Sequence, residues 1–315
     1  MKINIPAFCA LVAITGSITL SPLHAQQETH PPNIIFILAD DLGIGDPTCY
    51  NPESRIPTPH IDRLAEEGMK FTDAHAPASI CVPSRYGLLT GRYPFRKWWG
   101  EYEKRVKKGK REWIHFGPSN LRGEEGTTTI ASLLRSNRYN TACFGKWHLG
   151  MARSPGQSDT LSRTPIDYGF DYYFGIDAPE IPPYAFIEND RFVIPPSEQI
   201  EEQMGTNVSN PKTQGAHWYE GEAAAGWKFI DCLPTINERA VNYIQQNAEK
   251  EKPYFMYLSY PSPHAPWMPL EHFKGKSGAG QYGDWVMTLD DCLGKVLQTL
   301  DATETAANTL VCLLY

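Results

Sequence analysis

A thiol and an arginine lie one helical turn apart in the run CVPSR, which begins at Cys81 and ends at Arg85. Pro83 suits the first turn of a helix, because that turn needs no N–H from it, so the run predicts a helix that Gly91 ends. Cys81 would then face the free backbone N–H groups of the first turn, with Arg85 beside them. This arrangement predicts a positively charged pocket for an oxyanion such as sulfate or phosphate.

Two adjacent carboxylates, Asp40 and Asp41, follow a continuous apolar run at residues 33–39. Such a run is typical of a strand buried on both faces of a parallel sheet, and open α/β sheets bind ligands at the carboxyl ends of their strands. Paired carboxylates at that place favour a divalent cation such as calcium. For an Asp-Asp pair taken alone, a solvated turn or a helix cap is the alternative.

Three more polar side chains follow predicted strands. Lys146 and His148 come after a short strand at 139–144, and His264 comes after a buried strand at 254–260. Taken singly, such residues are more often surface charges or polar residues at strand ends. Their joint placement after strands predicts that they meet at one edge of a sheet.

Amphipathic segments alternate with these strands and predict an α/β fold. The predicted helices cover 58–68, 127–137, 234–250 and 281–300, a segment at 69–74 is predicted to be extended, and a last strand begins at Thr309. Residues 151–232 are rich in Gly, Pro and aromatic residues and have little periodicity. They predict loops that wall a pocket rather than a separate domain.

Composition and the first residues limit the protein class and the compartment. A chain of 315 residues with a net charge of −7 can bury one large core, and its charge argues against nucleic acid as a partner. Residues 1–25 combine Lys2, an apolar stretch and a small-residue site at Ala25, which predicts a signal peptide cleaved near Ala25. We therefore expect a secreted or periplasmic protein. A membrane anchor is the weaker alternative, because the apolar stretch is short.

Four separated blocks of this chain resemble the sulfatase family. They are CVPSR with TGR at 90–92, NIIFILADDLG at 33–43, GKWHLG at 145–150 and PHAP at 263–266. Four matches in the family's order are far more specific than a lone Cys-x-Pro, which usually marks an inert buried thiol. The chain resembles the arylsulfatase type, which is formylglycine-dependent and belongs to the alkaline-phosphatase-like superfamily.

The resemblance implies a fold and a domain boundary. It implies an α/β three-layer sandwich with a mostly parallel central sheet, in which residues 33–315 form the N-terminal catalytic domain. In the family, a strand like the one at 309–315 leads to an Asp-Asn pair that completes the metal site, then to a second active-site lysine and a C-terminal subdomain. We therefore expect a C-terminally truncated domain, and inactivity of the truncated chain is one expectation.

The resemblance also implies the cofactors. A formylglycine-generating maturation enzyme would oxidise Cys81 to formylglycine, and the hydrate of this aldehyde would be the nucleophile. Asp40, Asp41 and the modified Cys81 would bind calcium or another divalent cation. Such an aldehyde hydrate can expel sulfate by re-forming its own carbonyl, whereas a serine-type sulfate ester must be broken by water.

Further roles follow from the same resemblance. Arg85 would orient the hydrate, Lys146 would bind a sulfate oxygen, and His148 would hold or deprotonate the hydrate. His264 would contact the sulfate near the leaving oxygen and is our first candidate for protonating it. Cys81, Arg85, His148 and His264 would thus be catalytic, and Lys146 and His264 would bind substrate.

These observations predict a sulfuric ester hydrolase that acts on an aryl sulfate or a sulfated carbohydrate. A phosphonate monoester or phosphodiester hydrolase of the same superfamily is the second hypothesis, and a non-catalytic anion-binding remnant is the third. Other hydrolytic schemes lack support, because the sequence contains neither a G-x-S-x-G elbow nor an H-E-x-x-H motif.

Overall fold

Residues 31–94, 126–153, 159–205 and 215–315 are described by this computed structural model, and they contain thirteen strands and five α-helices. The strands are β1 (Asn33–Asp40), β2 (Asn140–Lys146), β3 (Ala152–Arg153), β4 (Leu161–Ser162), β5 (Tyr172–Ile176), β6 (Ile187–Glu188), β7 (Arg191–Phe192), β8 (Pro196–Ile200), β9 (Gln203–Gly205), β10 (Ala216–Trp218), β11 (Gly221–Ala224), β12 (Tyr254–Pro263) and β13 (Thr309–Leu314). The helices are α1 (Pro59–Glu67), α2 (Cys81–Thr90), α3 (Ile130–Ser136), α4 (Cys232–Asn247) and α5 (Gly280–Ala302).

The predicted signal peptide at residues 1–25 lies outside the described residues and stays a prediction. Among the helices that are described, we find none with both the length and the apolar character needed to span a membrane.

Seven of the strands form the central sheet, in the order β13-β1-β12-β2-β5-β6-β7. The first five are parallel, and β6 and β7 run antiparallel at the edge. Parallel strands need long crossover connections, and the helices of this chain provide most of them. The prediction of a mostly parallel α/β sheet is therefore confirmed.

Helices cover both faces of the sheet and give three layers. On one face, α1, α4 and α5 pack through residues such as Leu289 on strand residues such as Ile37 and Met256. On the other face, α2 and α3 pack on strand residues such as Phe255. Because alternate strand residues enter opposite cores, each strand must be apolar on both sides, which explains its continuous apolar run.

Two parts of the chain differ from the sequence-based prediction. The prediction of an extended segment at 69–74 is wrong. This segment contains no strand, and Met69 and Phe71 are 77% and 66% exposed. An extended segment is stable only when a partner strand takes its backbone hydrogen bonds, and none lies beside it in the described residues. Within residues 151–232, where loops were predicted, β5, β6 and β7 join the central sheet, although strands of two to five residues are too short to show a clear pattern.

The carboxyl ends of the parallel strands bring the polar residues together. β1 ends at Asp40, β2 ends at Lys146, and β12 leads into His264. The strands approach closely here, because a Cβ at Gly145 would collide with the carbonyl oxygen of Ser259 in β12. Gly145 also has φ +98°, which a residue with a side chain rarely adopts.

Candidate active site

α2 presents Cys81 and Arg85 to the strand ends. Cys81 is its first residue, and the helix ends at Gly91, which has φ 65° and donates its N–H to the Gly87 carbonyl. A left-handed glycine is a common way to end a helix, because no Cβ opposes that conformation. The predicted helix is therefore present, with Arg85 fully buried one turn after the thiol.

Asp40 lies between two buried cations. Its Oδ1 is 3.0 Å from Arg85 Nη2, and its Oδ2 accepts a hydrogen bond from Lys146 Nζ at 2.6 Å. Burial raises the pKa of Asp40, but the charges of Lys146, Arg85 and His264 outweigh burial and hold that pKa well below its ordinary value. Asp40 is therefore a carboxylate at every pH of interest.

Residues of β1, β2 and β12 hold the Arg85 side chain, but its Nε has no partner among the described residues. Its Nη1 donates to the Lys146 carbonyl at 2.9 Å and to the hydroxyl of Ser259. Its Nη2 is close to Asp40 but poorly aligned, so this contact is ionic, and Nε and Nη2 have no hydrogen-bond partner within the described residues. Buried donors without acceptors are costly, and an incoming oxyanion would satisfy them.

Lys146 is a buried ammonium that stays charged. Burial lowers its pKa, but Asp40 and then Glu180 raise it, and the net shift is upward from the ordinary value of 10.5. The side chain is fully buried at the end of β2. A fixed positive charge therefore lies beside Asp40.

His148 contacts the thiol of Cys81. Its Nδ1 is 3.4 Å from Cys81 Sγ, and its backbone N–H donates to Asp177 Oδ1 at 3.1 Å. Burial lowers the pKa of His148 to about 3, and the charges of Lys146 and Arg85 act in the same direction. The imidazole is therefore neutral at neutral pH and can accept a proton.

Cys81 is half-buried, and burial raises the pKa of its thiol above the ordinary value of 9.0. The charge of Lys146 opposes this shift without reversing it. Because the thiolate is the reactive form of cysteine, unmodified Cys81 is a weak nucleophile at neutral pH.

His264 connects the end of β12 to both aspartates. Its backbone N–H donates to the Asp40 carbonyl at 2.8 Å, and its Nε2 lies 3.7 Å from Asp41 Oδ2. On the other side of the ring, Nδ1 lies 2.6 Å from the Ala265 carbonyl oxygen. Asp41 itself is exposed and has φ 69°, a left-handed conformation that Asp tolerates.

A cavity of about 540 Å³ opens beside this cluster. Asp40, Asp41, Cys81 and Arg85 line it together with residues from 74–80 and the end of β13. This volume is of the size that holds a small ligand, and four charged or reactive groups converge on it.

The carboxylates of Asp40 and Asp41 are suitable ligands for a divalent cation. The described residues do not form a complete metal site around them. Within residues 31–94, 126–153, 159–205 and 215–315, no cluster of three or more His, Cys, Asp or Glu side chains has metal-binding geometry. Each Asp40 oxygen keeps a second lone pair beside its ion pair, and Asp41 is open to the cavity. The two residues could thus supply part of the oxygen shell that calcium requires.

The structure brings the sequence-derived candidates to one edge of the sheet. Asp40, Cys81, Arg85, Lys146 and His148 form a contiguous cluster, which His264 and Asp41 border.

The sequence analysis missed four residues of this site. Tyr257 and Ser259 hold Arg85, Asp177 holds the backbone of His148, and Glu180 approaches His264. Asp177 and Glu180 follow the end of β5, whereas Tyr257 and Ser259 lie within the apolar strand β12, and the sequence carries no specific signal for any of the four.

Comparisons with known proteins agree with this architecture. A fold with a mostly parallel sheet between two helical layers, and charged residues at the strand ends, is that of the alkaline-phosphatase-like class. A model of the sulfatase family matches residues 32–314, so this chain belongs to the sulfatase family.

Individual relatives are moderately similar. An N-acetylgalactosamine-6-O-sulfatase of Bacteroides thetaiotaomicron is 34% identical, over 98% of this chain and 63% of its own length. Arylsulfatase H of Canis lupus familiaris is 30% identical, over 89% of this chain and 56% of its own length.

A solved structure from work on glycosaminoglycan metabolism by B. thetaiotaomicron is 31% identical, with a TM-score of 0.73 over 90% of this chain and 62% of that chain. The chain thus spans between 56% and 63% of the length of these three relatives.

Proposed function

We propose that residues 33–315 are the N-terminal catalytic part of a sulfuric ester hydrolase. The observation that carries this proposal is Arg85, a buried guanidinium that lines the cavity with Cys81, pairs with Asp40 through Nη2, and has at Nε a donor without a partner among the described residues. A sulfate group offers an acceptor to this donor and negative charge to the cations Arg85 and Lys146. The chain's membership of the sulfatase family supports sulfur as the reacting centre.

We propose that Cys81 acts after oxidation to formylglycine by a maturation enzyme. The chain's membership of the sulfatase family and the place of Cys81 at the start of α2, on the cavity, support this step. A hydroxyl of the aldehyde hydrate would attack sulfur, and the bond from sulfur to the leaving oxygen would break. Loss of the other hydroxyl proton would then re-form the aldehyde and release sulfate.

His148 is the base for that release. Its Nδ1 lies 3.4 Å from Cys81 Sγ, within reach of a hydroxyl on the modified side chain, and this geometry is the support for the role. Arg85 and Lys146 would hold the sulfate oxygens, and His264 would contact the leaving oxygen.

Asp40 and Asp41 would hold calcium or another divalent cation, which supplies charge to stabilise the sulfate oxygens. Both side chains line the cavity beside Cys81, and their oxygens are of the type that calcium prefers. The hydrate of the modified Cys81, on the same cavity, would supply a further oxygen ligand.

We propose a sulfated carbohydrate as the substrate class. The support is the 34% identity to a protein named N-acetylgalactosamine-6-O-sulfatase over 98% of this chain. An aryl sulfate presents the same head group and serves as a chromogenic probe. The phosphonate or phosphodiester alternative is not favoured, since both curated relatives named above are sulfatases.

We also propose that the protein is exported through residues 1–25. N-terminal sequencing of protein from the exporting cell should begin near Gln26. Retention of Met1 or Lys2 in the mature protein would contradict export by a cleaved signal.

The decisive experiment combines the mass of the peptide that contains Cys81 with an assay of sulfate ester hydrolysis. We would express the protein with a maturation enzyme, measure the mass of the peptide that contains Cys81, and assay 4-nitrophenyl sulfate with added calcium or with a chelator. We expect an aldehyde at position 81, calcium-dependent hydrolysis and no turnover by Cys81→Ala. Faster hydrolysis of an aryl phosphodiester than of the sulfate would move the assignment to phosphoryl transfer, and a silent assay despite the aldehyde would refute catalysis by this chain.

A further inference from the structure

Glu180 keeps a carboxylate almost entirely away from water. The residue is 8% exposed, and its Oε2 has no hydrogen-bond partner in the part of the chain that the structure describes. A buried acceptor without a donor is costly, so such an atom in a folded protein calls for a reason. The mechanism above assigns Glu180 no role.

Hydrogen bonds hold the backbone of Glu180 in place. The Glu180 carbonyl accepts hydrogen bonds from the Tyr184 hydroxyl at 2.8 Å and from the Tyr219 N–H at 3.1 Å. Tyr184 is itself buried, and its single hydroxyl proton is shared between the Glu180 carbonyl and the Tyr219 carbonyl, which lies 2.7 Å away. These hydrogen bonds fix the Glu180 backbone in the loop between β5 and β6, and burial limits the positions open to its side chain.

The Glu180 carboxylate lies beside the ring of His264. Glu180 Oε2 lies 3.8 Å from His264 Nδ1, whereas His264 Nε2 lies 3.7 Å from Asp41 Oδ2. Asp41 lines the cavity and Glu180 does not, so Nε2 is the ring nitrogen nearer to a cavity-lining residue and Nδ1 is the one nearer to Glu180. At 3.8 Å the Glu180 contact is electrostatic and not a hydrogen bond, and a carboxylate on that side favours the ring orientation that keeps the Nδ1 proton toward it.

We propose that Glu180 is a positioning residue, which holds the His264 ring with Nε2 turned toward the leaving oxygen of the substrate. The inference rests on the proposed function, in which His264 contacts the sulfate near that oxygen. Nδ1 has one close acceptor, the Ala265 carbonyl, and Glu180 supplies the charged acceptor beside it. Without Glu180, the ring would lose its charged neighbour on the Nδ1 side.

The affected step is departure of the leaving group. The bond from sulfur to the leaving oxygen breaks, its electron pair stays on that oxygen, and a proton from His264 Nε2 neutralises the charge. Glu180 takes no part in the proton transfer and touches neither sulfur nor the leaving oxygen. Since a good leaving group needs little proton transfer, the role of Glu180 should depend on the leaving group.

The kinetic test compares phenyl sulfate with 4-nitrophenyl sulfate, whose phenolate leaves more easily. We expect Glu180→Gln to lower kcat for phenyl sulfate about 10- to 100-fold more than kcat for 4-nitrophenyl sulfate, with KM changed little. Glu180→Asp should restore part of the loss, because it keeps the charge. Glu202→Gln removes the same charge at an exposed side chain and should behave as the unaltered protein does.

Two kinetic results would overturn the inference. An equal fall of kcat on both sulfates would assign Glu180 to the fold, and a raised KM with unchanged kcat would assign it to substrate binding. Urea unfolding of each variant shows whether it is folded.

A comparison of crystal structures tests the same inference without requiring that the protein be enzymatically active. In crystals of the unaltered protein and of Glu180→Ala, the His264 ring should differ in orientation, and an identical ring would also overturn the inference. If the unaltered protein hydrolyses neither sulfate, the proposed function fails, and this comparison still decides what Glu180 does.

Discussion

Lys146 Nζ lies 2.6 Å from Asp40 Oδ2, and neither side chain is more than 4% exposed. The two residues end β2 and β1, the strands on either side of β12 in the sheet, and they are 106 positions apart in the sequence. A buried ion pair of this kind need not add stability, but removing one partner leaves the other charge buried.

Lys146→Ala should therefore destabilise the protein by about 3–5 kcal/mol, as breaking a buried pair does. The measurement is the free energy of unfolding from urea titration. Lys274→Ala is the matched control, because Lys274 lies 2.6 Å from Glu271 on the surface, where such a pair contributes about 0–1 kcal/mol. Equal losses in the two variants would contradict the burial of the Asp40 pair.

Arg85→Lys tests the geometry of the guanidinium rather than its charge. Lysine keeps the charge but cannot reach Asp40, the Lys146 carbonyl and Ser259 together, so we expect a loss of about 2–4 kcal/mol in the free energy of unfolding. In contrast, Arg135→Lys alters a partly exposed pair with Asp171 and should change stability by less than about 1 kcal/mol. Similar values for both variants would argue that Arg85 contributes charge alone.

Gly145→Ala should prevent stable folding. The new Cβ would meet the Ser259 carbonyl, and φ +98° is strained for alanine, so we expect a loss above about 4 kcal/mol. Gly91→Ala is the control, because Gly91 has φ +65° but no atom within 4 Å of a new Cβ, and it should cost about 1–2 kcal/mol. Thermal unfolding of both variants measures the difference, and a Gly145→Ala variant as stable as Gly91→Ala would refute the close approach of β2 and β12.

Acid should destabilise the protein partly through His148. Its pKa is about 3 when folded against an ordinary value of 6.5, so between these pH values the unfolded chain binds more protons than the folded chain. This contribution is complete above pH 6.5 and is lost as pH falls toward 3, with a slope of about 1.4 kcal/mol per pH unit.

Urea titrations at several pH values between 7 and 4 measure this slope. The slope should be smaller in His148→Gln, whereas the same change at the exposed His272 should keep it. An unaltered slope in His148→Gln would mean that His148 is charged in the folded protein.

The sheet could be predicted because burial on both faces makes a continuous apolar run. The run at 33–39 predicted β1, and β12 and β13 also lie where apolar runs predict them. α2 was predictable for another reason: Pro83 and Gly91 suit its two ends, and this placed Cys81 and Arg85 on the right element.

The loops could not be predicted in the same way. Asp177 and Glu180 lie after β5, where no periodicity fixes the direction of a side chain, so the sequence offered no signal for their contacts with His148 and His264. The partners of Arg85 on β12 could not be predicted either, because they lie inside a regular strand rather than in a loop. Tyr257 and Ser259 belong to an apolar strand, and the sequence alone indicates no polar role for them.

The order of strands in the sheet has a consequence for biosynthesis. Both neighbours of β1 are β12 and β13, so Asp40 is translated long before Tyr254 and Thr309. At roughly 5–20 residues per second, the ribosome delivers β12 on the order of 10–40 seconds after β1. During that interval β1 has neither of its partner strands, and its backbone hydrogen-bonding groups stay unpaired until about the last fifth of these 315 residues is synthesised.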